Sequence, residues 1–63
     1  MNYTIYFPKM DLAVYASWNN RTQKIECDHG LDDIFPGRDE SNMEAIRRVY
    51  PSAEIFAIRP RPA

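Results

Sequence analysis

The first residues of the chain carry the alternating pattern of a β-strand. Tyr-Thr-Ile-Tyr-Phe at positions 3–7 is rich in the aromatic and β-branched residues that strands favour. Because side chains alternate along a strand, Tyr3, Ile5 and Phe7 share one face. Pro8 has no amide hydrogen to give to a ladder, so we expect the strand to end there.

A second alternating segment follows a short turn at 9–11. Positions 12, 14, 16 and 18 are apolar and share one face, whereas positions 13, 15 and 17 share the other. This pattern predicts a strand over 12–18, and a short helix over 10–16 is the competing interpretation. The polar residues at 19–22 are typical of a turn, because asparagine tolerates positive φ angles.

A weaker strand and a long loop occupy the middle of the chain. Residues 23–27 are mostly polar, which favours a strand at a solvent-exposed sheet edge. The segment 29–38 contains both glycines of the chain and a proline, and it predicts a loop. We expect three apolar side chains of this loop to fold back over the core: Leu31, Ile34 and Phe35.

The clearest local signal is the start of a helix after this loop. Ser41 and Glu44 have the spacing of a capping box, in which each side chain bonds to the backbone of the other residue. Apolar side chains then recur at helical spacing: Met43, Ile46, Val49 and Tyr50. Pro51 disfavours the helical conformation in the residue before it, so the helix should end at Tyr50.

The last apolar segment, 53–59, predicts the strongest strand. Its Ile-Phe-Ala-Ile run at 55–58 is apolar on both faces, which is typical of a central strand covered on at least one side. The Arg-Pro-Arg-Pro-Ala tail at 59–63 cannot continue a ladder and should be extended. The elements together predict a single α+β domain over 1–63, in which one helix lies across a three- or four-stranded, mainly antiparallel sheet in the order β-β-(β)-α-β.

Chain length and cysteine content restrict the sources of stability. Sixty-three residues allow one small core, and a single cysteine excludes an intrachain disulfide and a four-cysteine zinc site. An unpaired cysteine suits the reducing cytosol. The sequence shows neither a signal peptide nor a membrane span, so we expect a stand-alone cytoplasmic protein without membrane contact.

The charges are unevenly distributed, although the net charge is only −1. Most acidic side chains fall between positions 26 and 40: Glu26, Asp28, Asp32, Asp33, Asp39 and Glu40. Four arginines follow: Arg47, Arg48, Arg59 and Arg61. This distribution predicts a dipolar surface, and the acidic stretch has two interpretations, a solvated loop with helix-start carboxylates or a docking surface for a basic groove.

Cys27 and His29 are the chain's cysteine and histidine, and they lie two positions apart. On one side of a strand they would form a thiolate–imidazolium pair, but the sequence offers no group to orient them. Together with Asp32 and Asp33 they match no structural zinc spacing. We therefore predict no enzyme activity, no catalytic residue, no metal site and no cofactor.

Aromatic residues exceed what a core of this size needs. The chain contains one tryptophan, four tyrosines and three phenylalanines. Aromatic and arginine side chains are the usual anchors of protein interfaces, although Trp18 at a strand end also suits a lid on the core. The predicted partner-binding residues are Tyr6, Tyr15, Trp18, Asp32, Asp33, Arg47, Arg48, Arg59 and Arg61.

The stretch 43–60, with its apolar strand followed by Arg59 and Pro60, resembles the C-terminal part of small phage-encoded α/β accessory proteins. In layout it is similar to the host RNA polymerase inhibitor of short-tailed coliphages, through Ile55, Ile58, Arg59 and Pro60. The loop at 29–38 departs from that pattern. The resemblance implies a protein in the cytoplasm of a bacterial host that binds and inhibits a host complex, with RNA polymerase as first candidate and a CRISPR or restriction complex as second. It also implies that Arg59 contacts this partner.

Two alternatives remain beside this hypothesis. The C-terminal arginines suit a nucleic-acid-binding module, although the chain lacks clustered lysines, so we expect no nucleic-acid partner. An exposed strand edge suits a small structural domain that forms a homodimer.

Overall fold

Five elements of secondary structure build an α+β fold. The computed structural model describes residues 1–58, so the predicted tail, with Arg59 and Arg61, lies outside the described residues. The elements are β1 (Asn2–Phe7), β2 (Leu12–Asn19), β3 (Lys24–Cys27), α1 (Asn42–Val49) and β4 (Glu54–Ile58). They form a four-stranded antiparallel sheet in the order β3-β2-β1-β4, with one helix packed on it, which confirms the predicted fold class.

The hairpin of β1 and β2 forms the centre of the sheet. Tyr3 pairs with Ala16 and Ile5 pairs with Val14, and all four side chains are buried. The alternation predicted for 12–18 thus places its apolar positions in the core. The competing helix over 10–16 is wrong, because period-2 burial against β1 fits a strand and no helical face.

The side chain of Asn19 holds the turn between β2 and β3 through hydrogen bonds. The sequence predicts instead that asparagine favours this turn by adopting a positive φ angle. The Asn19 Oδ1 accepts hydrogen bonds from the backbone amides of Arg21 (2.9 Å) and Thr22 (3.2 Å). The residue with positive φ is Gln23, at 58°. The turn is where it was predicted, but its asparagine acts as a hydrogen-bond acceptor and does not supply the left-handed conformation.

β3 lies at one edge of the sheet, as its polar composition predicted. Its outer side is nevertheless covered, because Ile25 and Ile34 exchange two backbone hydrogen bonds of 2.8 and 2.9 Å. The side chain of Ile25 is fully buried. The segment after β3 therefore closes this edge.

The loop at 29–38 folds back only in part. Ile34 is buried and Leu31 is half-buried, as expected. Phe35 is 64% exposed, so its predicted place over the core is wrong. Because Ile34 points inward beside β3, the next side chain along this extended segment points to solvent.

The capping box at the start of α1 is confirmed. The Ser41 hydroxyl accepts from the Glu44 amide (3.1 Å), and the Glu44 carboxylate accepts from the Ser41 amide (3.0 Å). These bonds satisfy two amides that have no partner inside the helix. The helix ends at Val49, and Tyr50 before Pro51 has left the helical conformation, with φ at −126° and ψ at 73°.

α1 covers one face of the sheet with its apolar side. Ala45 and Ile46 are fully buried, and Met43 packs against the core. At the helix end, Tyr50 packs against the core and meets Phe7 edge-on, with ring centroids 5.4 Å apart, whereas Val49 is exposed. The core therefore lies between α1 and the face of the sheet that carries Tyr3 and Ile5.

β4 occupies the other edge of the sheet, beside β1. The prediction that this strand is central is wrong. The hairpin already fills one side of β1, so the chain returning from α1 pairs on the remaining side, and no further described strand lies beyond it. Phe56, Ala57 and Ile58 are consequently exposed although the segment is apolar.

A candidate protein-binding face

The two faces of the sheet differ in what covers them. α1 and the loop cover one face, whereas the alternate side chains point to the other, on which no described residue is buried. We call this second surface the open face. It comprises Asn2, Thr4, Tyr6, Ala13, Tyr15, Ser17, Asn19, Lys24, Glu26, Glu54, Phe56 and Ile58.

A row of side chains crosses the middle of the open face. Thr4 on β1 lies between Tyr15 on β2 and Phe56 on β4. Tyr15 is 44% exposed and Phe56 is 53% exposed. Ile58, two residues beyond Phe56, adds another exposed apolar side chain at 41%. Large apolar surfaces that remain exposed in one patch commonly mark interaction sites.

Tyr6 borders this aromatic row and is held in position by a carboxylate. Its hydroxyl donates a hydrogen bond of 2.7 Å to the Asp11 Oδ1. That bond, followed by burial and by the charge of Glu54, raises the pKa of the Tyr6 phenol. The side chain is therefore a neutral, fixed hydrogen-bonding group at the rim of the patch.

Acidic side chains surround the apolar part of the open face. Asp11 and Glu54 lie near Tyr6, and Glu26 lies on β3, where it accepts a 3.4 Å hydrogen bond from Asn19. The basic residue among the strand positions of this face is Lys24, whose ammonium is 2.6 Å from the Asp33 carboxylate. The face thus combines an apolar centre with a negative rim.

The Lys24–Asp33 pair links β3 to the loop. The hydrogen bond to Asp33 raises the pKa of Lys24, and the hydrogen bond from Lys24 lowers the pKa of Asp33. Both groups are partly solvated, so the pair contributes little to stability. It fixes the position of the loop and neutralises one positive charge on the open face. Asp32, the neighbouring residue predicted to bind a partner, is exposed.

The predicted partner-binding residues do not meet on one surface. Tyr6 and Tyr15 lie on the open face, whereas Trp18 lies on the helix-facing side and packs against the core. Of the two interpretations of Trp18, the structure favours the core lid. Trp18 also lines a shallow depression beside the β2–β3 turn, together with Asn20 and Arg21.

The helix arginines lie on another layer of the molecule. Arg48 donates to the Glu40 carboxylate (2.9 Å) and to the Phe35 carbonyl (3.2 Å), so it connects the helix to the loop before it. The hydrogen bond from Arg48, and then that from the Gly37 amide, lower the pKa of Glu40. Arg47 is exposed on α1 and has no described salt bridge.

Phe56 and Ile58 belong to the open face, although sequence reasoning did not include them among the binding residues. The apolar run at 55–58 predicted a central strand covered on at least one side, and it did not indicate which of its faces would be exposed. The available signal was Glu54, which shares a face with Phe56 and Ile58 because it is separated from them by even numbers of residues. A charged residue on that face indicates solvent on that side of the sheet.

Cys27 is half-buried at the end of β3. Burial, and then the charges of Asp33 and Asp28, raise the pKa of its thiol, so the neutral form is favoured. His29 follows in a turn, with φ at 58°. Within residues 1–58, no three His, Cys, Asp or Glu side chains are grouped to hold a metal ion. No helix of this part of the chain is both long and apolar enough to cross a membrane.

The chain was compared with protein-family models, curated proteins and solved structures, and none of them matches it. The open face and the sheet edges are therefore the basis for a functional proposal.

Proposed function

We propose that this chain is a protein-interaction module that binds and blocks another protein through its open face. The observation that carries the proposal is the exposed aromatic row of Tyr15 and Phe56 across an uncovered sheet. Burying a large aromatic side chain at the centre of an interface often contributes about 2 kcal/mol or more of binding energy. Two such side chains would form the centre of the contact, and burial of the surrounding open face would supply the rest of the binding energy.

The negative rim defines the chemistry of the partner. Asp11, Glu26 and Glu54 repel acidic surfaces and attract basic ones, and Lys24 is neutralised by Asp33. A protein surface with an apolar centre and Lys or Arg around it complements this face. A phosphate backbone does not, because the acidic side chains stand beside the aromatic platform on which bases would stack.

For the identity of the partner we propose a bacterial host complex, with RNA polymerase as first candidate and a CRISPR or restriction complex as second. The support is the resemblance of the C-terminal segment to phage-encoded inhibitors of host enzymes. The small size of the chain and its dipolar charge distribution suit a protein that docks and obstructs.

The test compares two substitutions of exposed aromatic residues on different surfaces. Tyr15→Ala removes half of the aromatic row, whereas Phe35→Ala removes a side chain that is 64% exposed on the loop. Binding of the tagged protein to purified bacterial RNA polymerase is measured first, and proteins captured from bacterial lysate are measured next. We expect Tyr15→Ala to weaken binding at least about tenfold, which is about 1.4 kcal/mol, and Phe35→Ala to leave it unchanged.

Retention of every captured protein by the Tyr15→Ala variant would contradict the proposal, as would the absence of any stoichiometric partner. The nucleic-acid alternative is tested in parallel with labelled single-stranded RNA and duplex DNA at low salt. A complex that weakens steeply with salt and ignores Tyr15→Ala would replace the proposed function with nucleic-acid binding by the arginines.

A further inference from the structure

The two edges of the sheet differ in whether their outer backbone groups are hydrogen-bonded. At the β3 edge, the backbone of Ile25 is bonded to Ile34 in both directions. At the β4 edge, no described segment pairs with the outer side of Glu54–Ile58. An unpaired strand edge presents backbone donors and acceptors to any strand that reaches it.

The alternation of hydrogen bonds in the hairpin shows how the backbone of β1 is oriented. The Trp18 amide donates to the Met1 carbonyl (3.2 Å), so positions 1 and 18 form a hydrogen-bonded pair. In an antiparallel ladder such pairs recur every second residue, so the backbone groups of Tyr3 and Ile5 also face β2. Those of the intervening β1 residues then face β4.

The same alternation identifies the free groups of β4. Thr4 faces Phe56 across the β1–β4 ladder, and its backbone groups are turned towards β4. Phe56 is therefore bonded to β1, and the N–H and C=O groups of Ile55 and Ala57 point away from the sheet. These two residues stand symmetrically on either side of Phe56.

We propose that β4 pairs antiparallel with β4 of a second copy of this chain, with the twofold axis at Phe56. In this register Ile55 lies opposite Ala57 of the second copy, and each such pair exchanges both of its backbone hydrogen bonds. All outward backbone groups of Ile55 and Ala57 are satisfied. The large side chain of Ile55 meets the small one of Ala57 on the helix-facing side.

The charge on β4 favours a second copy in this antiparallel orientation. Glu54 is the charged residue within the strand. With the axis at Phe56, Glu54 lies opposite Ile58 of the second copy, and the two Glu54 carboxylates are separated by four residues, about 14 Å along the strand. An in-register parallel pairing would place these carboxylates side by side, which is unfavourable.

The pairing also extends the open face. Phe56 and its counterpart stand on the same face as a pair without mutual hydrogen bonds, the arrangement in which cross-strand side chains are closest. The aromatic row then continues through both copies. The dimer does not require the partner protein proposed above, because it uses the edge of β4 and leaves Tyr15, two strands away, unchanged.

Substitutions at Ala57 test the edge. Proline is tolerated on an edge strand where its missing amide hydrogen faces outward, so Ala57→Pro should leave the β1–β4 ladder intact and remove the edge bond. Sedimentation equilibrium is expected to give a dimer for the wild type and for the matched control Ala57→Val, and a monomer for Ala57→Pro with an unchanged circular dichroism spectrum. A monomeric wild type at high concentration, or a folded Ala57→Pro variant that dimerises as well as the wild type, would overturn the proposal.

Cysteine cross-linking tests the register independently of proline. In a Cys27→Ser background, Phe56→Cys places two thiols on directly opposed residues, within the Cα distance that a disulfide spans. Glu54→Cys, on the same face, is the matched control, because its counterpart lies too far along the strand. Mild oxidation should link the Phe56→Cys variant and not the Glu54→Cys variant, and the reverse result would exclude this register.

Tyr15→Ala separates the two proposals. This substitution should weaken partner binding, and the variant should remain a dimer. A Tyr15→Ala variant that becomes monomeric would contradict the edge pairing.

Discussion

Tyr15 and Trp18 lie three positions apart on β2, and this odd spacing places them on opposite faces of the sheet. Trp18 packs on the core, and Tyr15 is exposed beside Thr4 on the open face. A single strand therefore supplies both a stabilising aromatic side chain and one available for binding. The number of aromatic residues in the chain does not reveal this division, whereas their odd or even spacing does.

Glu40 is a carboxylate that connects the loop before α1 to the helix. It accepts hydrogen bonds from Arg48 and from the Gly37 amide, and these bonds lower its pKa in the folded state. The ionised Glu40 side chain stabilises the fold fully at pH values above the pKa of the unfolded state, near 4.5. This stabilisation is lost as the pH falls through the lower pKa of the folded state.

Glu40→Gln should therefore reduce the loss of stability in acid. We expect the melting temperature of this variant to fall less than that of the wild type between about pH 5 and about pH 3. Asp39→Asn is the matched control, because Asp39 has no salt bridge among the described residues. Melting curves at a series of pH values measure the effect, and equal slopes for Glu40→Gln and the wild type would contradict the assignment.

At the level of elements, α1 depends on its cap because it is short. The helix has eight residues, too few to be stable in isolation. The Ser41 hydroxyl bonds to the Glu44 amide at its first turn.

Ser41→Ala should lower the free energy of unfolding by about 1 kcal/mol, since it removes the side-chain acceptor. Ser41→Asp is the control, because aspartate caps helices as well as serine does. Urea denaturation gives both values. A loss for Ser41→Asp as large as that for Ser41→Ala would show that the serine hydroxyl acts in some other way.

The elements show where sequence information sufficed. Local patterns located β1, β2, β3 and α1, because alternation, the capping box and Pro51 act within a few residues. They did not locate β4 in the sheet, since the order of strands depends on which side of β1 the chain returns to after α1. The place of Phe56 on the open face was missed for a related reason: its exposure depends on which face α1 covers, and Tyr15 on the inner strand β2 is exposed on the same face.

At the scale of the whole molecule, stability and association are linked. A chain of 63 residues buries a small core, so its folded state is only marginally stable alone. Association of folded copies adds free energy that increases with protein concentration.

The melting temperature of the wild type should therefore rise with protein concentration, whereas that of Ala57→Pro should not. Differential scanning calorimetry over about a hundredfold range of concentration measures both. An identical dependence in the two proteins would mean that the association uses a surface other than the β4 edge.

The bond between Ile25 and Ile34 has a consequence for how far such assembly can proceed. A sheet in which both edge strands are unpaired can add further subunits at each edge and grow into a fibril. In the proposed dimer, the Ile25–Ile34 bridge occupies the β3 edge of each copy, so pairing through β4 joins two copies and then stops. The short segment around Ile34 would thereby prevent polymerisation of a protein whose other edge strand, β4, is apolar.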